Sequence, residues 1–216
     1  ALDLLGAQGL GALGLTRATA SDVSLSKKQR QKLAPKQEGL NIEGLCASTD
    51  GKTLFIGLRN PRPQRRAVVL PLTNPAAVIE QGKKPEFARA ILWDLRNLGI
   101  RAMDYSSFHK AYFIITGPHN TKGGFVLYRW SGNRTDAPRR IQTIDTALPS
   151  FTPEALVSFA SRSGLWVLSD DGSVLVKVSG PKDCISGELL ANGTCQNKHL
   201  LDPMRKTFRG AWLAVP

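Results

Sequence analysis

Two glutamates and an arginine recur at matched places in the chain. Glu43, Arg101 and Glu154 stand 58 and then 53 residues apart. Each is followed twelve residues later by an aromatic residue inside a short apolar run: Phe55, Phe113 and Trp166. Carboxylates gathered at one mouth of a channel can hold Ca²⁺, a hard cation that takes several oxygen ligands. Glu43 and Glu154 are therefore candidate metal ligands. The arginine in the middle unit offers the opposite chemistry, because Arg101 with Arg59 and the adjacent Asn60 could receive a carboxylate or phosphate through bidentate guanidinium pairs. A third reading is structural: a ring of ion pairs in which Glu43 and Glu154 bridge Arg101 and Arg59 and tie neighbouring units together.

Other chemistry-bearing residues form weaker patterns. His109, His119 and His199 lack metal-ligand spacing, and neither H-E-x-x-H nor G-x-S-x-G occurs, so a Ser-His-Asp hydrolase has no support. Asp170 and Asp171 could add metal ligands, but Asp171-Gly172 reads as a turn. The run 9–14 satisfies G-x-G-x-x-G, yet β meanders follow it rather than the strand–turn–helix unit that dinucleotide binding needs. Cys184 and Cys195 flank a turn-rich segment holding Gly187, Asn192 and Gly193. Such a segment could fold back and bring the sulfurs within bonding distance; the alternative is three unrelated buried cysteines. A disulfide would imply an oxidising compartment and leave Cys46 as a free, buried thiol. The first residue is Ala1, which fits removal of a signal peptide or cleavage inside a longer precursor. Together these lead us to expect a periplasmic or secreted protein.

These residues need elements to hold them. The 216 residues are 42% hydrophobic and 21% charged, which excludes a disordered tail, a collagen-like rod and a disulfide-stapled mini-protein. No apolar run approaches the roughly 18 residues of a membrane-spanning helix. The net charge of +12 favours anionic partners. The basic residues fall in separate clusters without any nucleic-acid motif, so nucleic acid is not expected as a partner.

Around the matched residues, three units repeat. Openings at 41–45, 99–103 and 152–156 lead to apolar runs at 53–58, 111–115 and 165–168, then to further runs at 67–70, 125–128 and 174–178. Fourth strands fit at 90–93, 140–144 and 210–215. The runs are rich in Val, Ile, Phe, Tyr and Leu and broken by Gly, Asp, Asn and Pro, as in small antiparallel sheets. Four-stranded units of about 50 residues are what a β-propeller blade looks like. The expected fold is all-β: a partial β-propeller of three blades at 41–98, 99–151 and 152–216. Residues 1–40 form an N-terminal segment with a Leu/Gly-rich stretch, read as the end of a preceding blade or a docking arm, and a short helix at 25–33 capped by Ser24. Trp93, Trp130, Trp166 and Trp212 are expected in the core or between blades.

Several stretches carry a family resemblance. Asn41-Ile42-Glu43-Gly44-Leu45, Leu54 to Pro63 (LFIGLRNPRP), Leu98-Gly99-Ile100-Arg101 and Leu127-Tyr128-Arg129-Trp130-Ser131-Gly132 resemble the hallmark segments of a bacterial domain family of unknown function, over residues 40–170. That family is similar to β-propellers and distantly to esterase-like phytase and calcium-dependent lactonase propellers. The resemblance implies further blades upstream and no established activity. By analogy with the lactonase-type propellers, which use a Glu at a similar strand start, it points to Glu43 and Glu154 as ligands of Ca²⁺.

Three blades cannot close a ring, since closed propellers have about four or more. A companion chain, acidic in character, or a second copy of the chain is therefore expected to complete it, through an interface above roughly 2,000 Å²; the remaining alternative is a compact meander that is not a propeller. Two function classes follow. The first is a binding or scaffold module for a protein or anionic ligand. The second is a divalent-metal-dependent hydrolase of phosphoesters or lactones.

Overall fold

The way apolar residues are spaced along each strand predicts how many of its faces are covered. A strand covered on both faces reads as a near-continuous apolar run, whereas one covered on a single face alternates. In the computed structural model, which describes residues 23–33, 39–118 and 124–216, both cases occur. The stretch 1–15, the motif at 9–14 and His119 lie outside the described residues.

The first sheet is a meander of β1 (Asn41–Ala47), β2 (Leu54–Asn60), β3 (Ala67–Leu72) and β4 (Ile91–Trp93). The second repeats it with β5 (Gly99–Ser106), β6 (Ala111–Gly117), β7 (Phe125–Trp130) and β8 (Arg139–Ile144). All neighbours are antiparallel. β3 and β6 are buried at every position, and both sequences, AVVLPL and AYFIITG, are correspondingly apolar apart from Thr116, whose hydroxyl donates to the Val126 carbonyl. Gly51, with φ +69°, closes the β1–β2 hairpin, a conformation that glycine adopts without a Cβ penalty.

One core lies between the first two sheets. Phe55, Val69 and Trp93 of the first meet Ile100, Tyr112, Ile114 and Trp130 of the second, with edge-on aromatic contacts such as Phe55–Trp130 at 5.1 Å. A second core joins Phe113, Ile115 and Leu127 to Leu156, Leu165, Val167 and Leu213 of the third sheet. The first strands lie side by side, β1 against β5 and β5 against β9 (Pro153–Val157). Successive meanders packed face to face around a shared inner edge are the blades of a partial propeller.

The third sheet departs from the expected plan. It has three strands in the order β13–β10–β9, with β10 at Leu165–Ser169 and β13 at Gly210–Leu213. The run at 174–178 does not supply its third strand. There, β11 (Leu175–Lys177) pairs with β12 (Thr194–Gln196) in a separate two-stranded sheet, and β13 takes the place beside β10. β13 fits closely there. A Cβ on Gly210 would come within 2.4 Å of Trp166 Cζ2, so only a residue without a side chain lets the indole lie across the neighbouring strand. Cys184 and Cys195 are bonded, with Cα atoms 6.1 Å apart, and with Leu200 they form a small core of their own. A disulfide closing so short a loop gives this insertion internal stability that its few apolar residues could not supply alone.

Because, among the described residues, the third sheet is packed on one side only, β10 alternates: Leu165 and Val167 face the core while Trp166 is half-buried on the other side. Trp93 and Trp130 are core residues as expected. Trp212, half exposed at 50%, is not.

Two short helices complete the described chain. α1 (Lys27–Lys32) is capped by Ser26 rather than Ser24, because Gln29 three residues on reciprocates the bond in a capping box. α2 (Pro75–Gln81), which the strand-centred reading of the sequence passes over, starts on a proline and ends on Gly82 at φ +64°. Its Val78 packs on the outer face of the first sheet.

A buried carboxylate anchors the third sheet. Asp171 receives Arg209 Nε at 2.7 Å, Arg209 Nη2 at 2.8 Å and Ser169 Oγ at 2.7 Å. It is thus a structural ion-pair partner at the Asp171-Gly172 turn. The Arg209 bonds first, then Ser169, hold its carboxyl below the usual range against the opposing effect of burial. A depressed carboxylate pKa contributes stability that is full above the unfolded value near 4 and is lost as pH falls through the folded value. Asp171→Asn should therefore lower stability by about 2 kcal/mol at pH 7. In urea titrations the difference from wild type should shrink as the pH is taken below about 4; a difference independent of pH would contradict this role.

Candidate functional site: an ion-pair clasp at three matched bulges

Glu43, Arg101 and Glu154 are placed by the same device three times. In β1, Ile42 pairs with Leu58 and Gly44 with Gly57, so Glu43 is an extra residue in the ladder. In β5, Ile100 pairs with Thr116 and Ala102 with Ile115, leaving Arg101 as the extra residue. In β9, Pro153 pairs with Ser169 and Ala155 with Leu168, and Glu154 is the one skipped. A β-bulge bends its strand and re-aims the side chain it carries. Here three bulges near the start of three adjacent inner strands turn their charged side chains toward one another.

The result is a continuous clasp across three sheets. Glu43 Oε1 accepts from Arg59 Nη1 at 2.9 Å and from Asn41 Nδ2 at 3.0 Å. Arg101 Nε lies 3.1 Å from Glu43 Oε2, a charge contact without hydrogen-bond alignment. Arg101 Nη2 donates to Glu154 Oε1. Arg59 Nη2 also reaches the Pro118 carbonyl at 3.4 Å. The Arg101 side chain is only 4% exposed, against 19% for Glu43 and 28% for Glu154. Its guanidinium carbon stands 5.6 Å from the centre of the Phe125 ring, within cation–π range. Burial lowers the Arg101 pKa to about 10; Glu43 opposes the shift, Arg59 adds to it and Asp170 opposes it. The group therefore stays charged at neutral pH.

The chemistry follows from this occupancy. The two arginines already hold anions, and those anions are the protein's own carboxylates. This donor set does not fit Ca²⁺: a calcium ion would have to displace a buried guanidinium from between Glu43 and Glu154 and would then face Arg59 as well. Among the described residues, no three His, Cys, Asp or Glu side chains gather as a metal site would require. Asn60, buried at 1% exposure, accepts from Arg62 Nε at 3.3 Å. Arg62 in turn reaches the Asn97 side chain at 3.0 Å. This places Asn60 beside Arg59 on β2 in a loop-fastening role.

A second tie, not read from the sequence, joins the second and third sheets. Asp104 Oδ2 accepts from both the backbone N–H and Oγ of Ser158 at 2.6 Å. No spacing rule links a strand aspartate to a serine 54 residues on. His109 adds a contact of Nε2 with the Ser163 carbonyl at 2.7 Å. His199 pairs with Glu188 at 2.9 Å. Near Asp104, the Cys46 thiol is pushed up to about 12 by burial and then by that carboxylate, which keeps it protonated and unreactive.

Meandering four-stranded sheets stacked about an inner edge, joined there by bulge-borne ion pairs, define the class: a partial β-propeller with a charged clasp at its axis. The chain belongs to the DUF3616 family of proteins of unknown function, whose model matches residues 8–171. The match begins well upstream of the segments that carry the resemblance in the sequence. Among solved structures, the chain is similar to the periplasmic gluconolactonase PpgL of Pseudomonas aeruginosa. That likeness has 16% identity and a TM-score of 0.40, over 86% of this chain and 60% of that one. It is also similar to the β-propeller domain of Myceliophteria thermophila Cps50 (Swd1), at 8% identity and a TM-score of 0.31, over 68% and 55% of the two chains. The chain thus spans less than two thirds of the length of either. No curated protein matches it by sequence.

Proposed function

We propose that this chain is a noncatalytic β-propeller module, secreted or periplasmic, that binds an acidic companion chain completing its ring. The observation that carries this reading is the face of the third sheet that no other described element covers. Val157, Phe159 and Trp212 are 37%, 40% and 50% exposed there. Phe159 and Trp166 both pack against Trp212, at 5.6 and 5.0 Å. The equivalent faces of the first two sheets are covered by the next blade, and large apolar patches left open on a protein surface mark contact sites. Arg162 lies 5.4 Å over the Trp212 ring and, with the net charge of +12, favours an acidic surface opposite. The Cys184–Cys195 disulfide supports an oxidising compartment. Among the described residues no helix is long and apolar enough to cross a membrane.

Sedimentation velocity on the 23.5 kDa chain tests the reading. Without its companion the chain should associate progressively with concentration, and Phe159→Asp with Trp212→Asp should return it to a monomer. A wild-type chain that stays monomeric at every concentration would overturn the proposal, and a discrete two-fold dimer would replace the companion with a second copy.

A further inference from the structure

The outer edge of the third sheet has the features of a second binding surface, distinct from its open face. In the first two sheets four strands run from inner to outer edge; in the third, β13 is the outermost of three. The direction of its unused hydrogen-bonding groups follows from the register. Ser169 N donates to Arg209 O at 2.9 Å, so the Arg209 backbone faces β10. Antiparallel ladders alternate, and with Ala211 opposite Val167 and Leu213 opposite Leu165, those two residues face β10 as well. The N–H and C=O groups of Gly210 and Trp212 therefore point away from the sheet. Among the described residues no strand lies on that side.

A cavity of about 320 Å³ adjoins this edge. Its floor is Val167, Ala211 and Leu213, its opposite wall the segment from Ile144 to Leu148 that leaves β8, and Trp212 lines it too. It continues the apolar packing between the second and third sheets, because Ile144, Val167 and Leu213 belong to that core. Asp145, exposed, is its one charged lining residue.

We infer that β13 is a strand-addition site that takes an extended peptide segment of a partner as the fourth strand of the third sheet. The segment pairs antiparallel with Gly210 and Trp212 through its backbone. Its alternate side chains, large and apolar, enter the cavity, and a Lys or Arg meets Asp145. Strand addition draws affinity from main-chain bonds and selectivity from pockets for every second side chain, and both parts are present here. The inference rests on the binding-module reading and adds how and where the partner is held.

The test uses fluorescence polarisation with a labelled, capped octapeptide that alternates leucine and threonine and carries one terminal lysine. The wild-type chain should bind it saturably. Of two peptides N-methylated on alternate residue sets, the one whose sheet-facing amides are blocked should bind at least about tenfold more weakly. Trp212→Pro removes an outward N–H without touching the β10 ladder and should weaken binding similarly, whereas Trp212→Ala keeps that N–H and should retain it. Ala147→Phe, at an exposed position lining the cavity, should also abolish binding and keeps the test open if the proline variant does not fold. No binding, or binding indifferent to N-methylation and to Ala147→Phe, would overturn the inference. Because Ala147 lies off the open aromatic face, self-association in sedimentation would persist in that variant, which separates failure here from failure of the module reading.

Discussion

Arg101→Met should destabilise the protein by about 3 kcal/mol, lowering its melting temperature by roughly 10 °C. The side chain is nearly isosteric along its stem but removes the charge from between Glu43 and Glu154. Breaking a buried ion pair from one side costs about 3–5 kcal/mol, because the remaining charges lose their partner in a poorly solvated place. The lower end applies, since Glu43 and Glu154 keep 19% and 28% side-chain exposure and water can partly compensate. The reverse change on the other side makes the claim specific. Adding Glu154→Gln to Arg101→Met removes the stranded carboxylate, while Glu43 keeps Arg59 Nη1 at 2.9 Å, and should restore part of the lost stability. Arg101→Lys should recover little, because an ammonium cannot span two carboxylates in the way a guanidinium fork does. If Arg101→Met melts within 1 °C of wild type, the clasp contributes nothing to the junction.

Gly99→Ala should cost about as much, for a steric reason. A Cβ there would meet the Arg59 carbonyl oxygen at 2.3 Å and the Arg59 Cα at 2.9 Å. Both are backbone atoms of the neighbouring sheet beside the clasp, so relief requires moving one sheet from the other. Overpacking of this kind costs about 1–3 kcal/mol, and the upper end fits a contact with no flexible side chain to yield. Gly180→Ala is the control: nothing lies within 4 Å of its Cβ position, and it should be neutral within about 0.5 kcal/mol. Denaturant midpoints of the two variants would check this, and equal midpoints would contradict the close approach.

The units that carry the site were legible because their physics is local. The apolar runs of β2, β3, β6 and β7 are short, bounded by turn residues and repeated at near-constant spacing, and the matched positions of Glu43, Arg101 and Glu154 survive that repetition. What the sequence concealed is the bulge at each of those positions. A bulge changes the register of two strands, and its cause lies in pairing across the ladder rather than in any residue type. The strand order of the third sheet is hidden for a related reason. The run at 174–178 has strand composition, but its place beside β10 is taken by a strand some 35 residues later, whose Gly210 lies close against the Trp166 indole. The partners of Asp104 and Asp171 were equally hidden, since Ser158 and Arg209 are distant in sequence and ordinary in type.

Catalytic assay tests most directly whether the propeller axis is a structural clasp or a reaction centre. Purified chain should be offered chromogenic phosphoesters and lactones with and without added Ca²⁺, alongside calorimetric titration with Ca²⁺ itself. The clasp predicts no turnover above the blank and no calcium binding, in wild type and in Glu43→Gln alike. Calcium-dependent hydrolysis that disappears in Glu43→Gln would contradict it and assign the axis to catalysis.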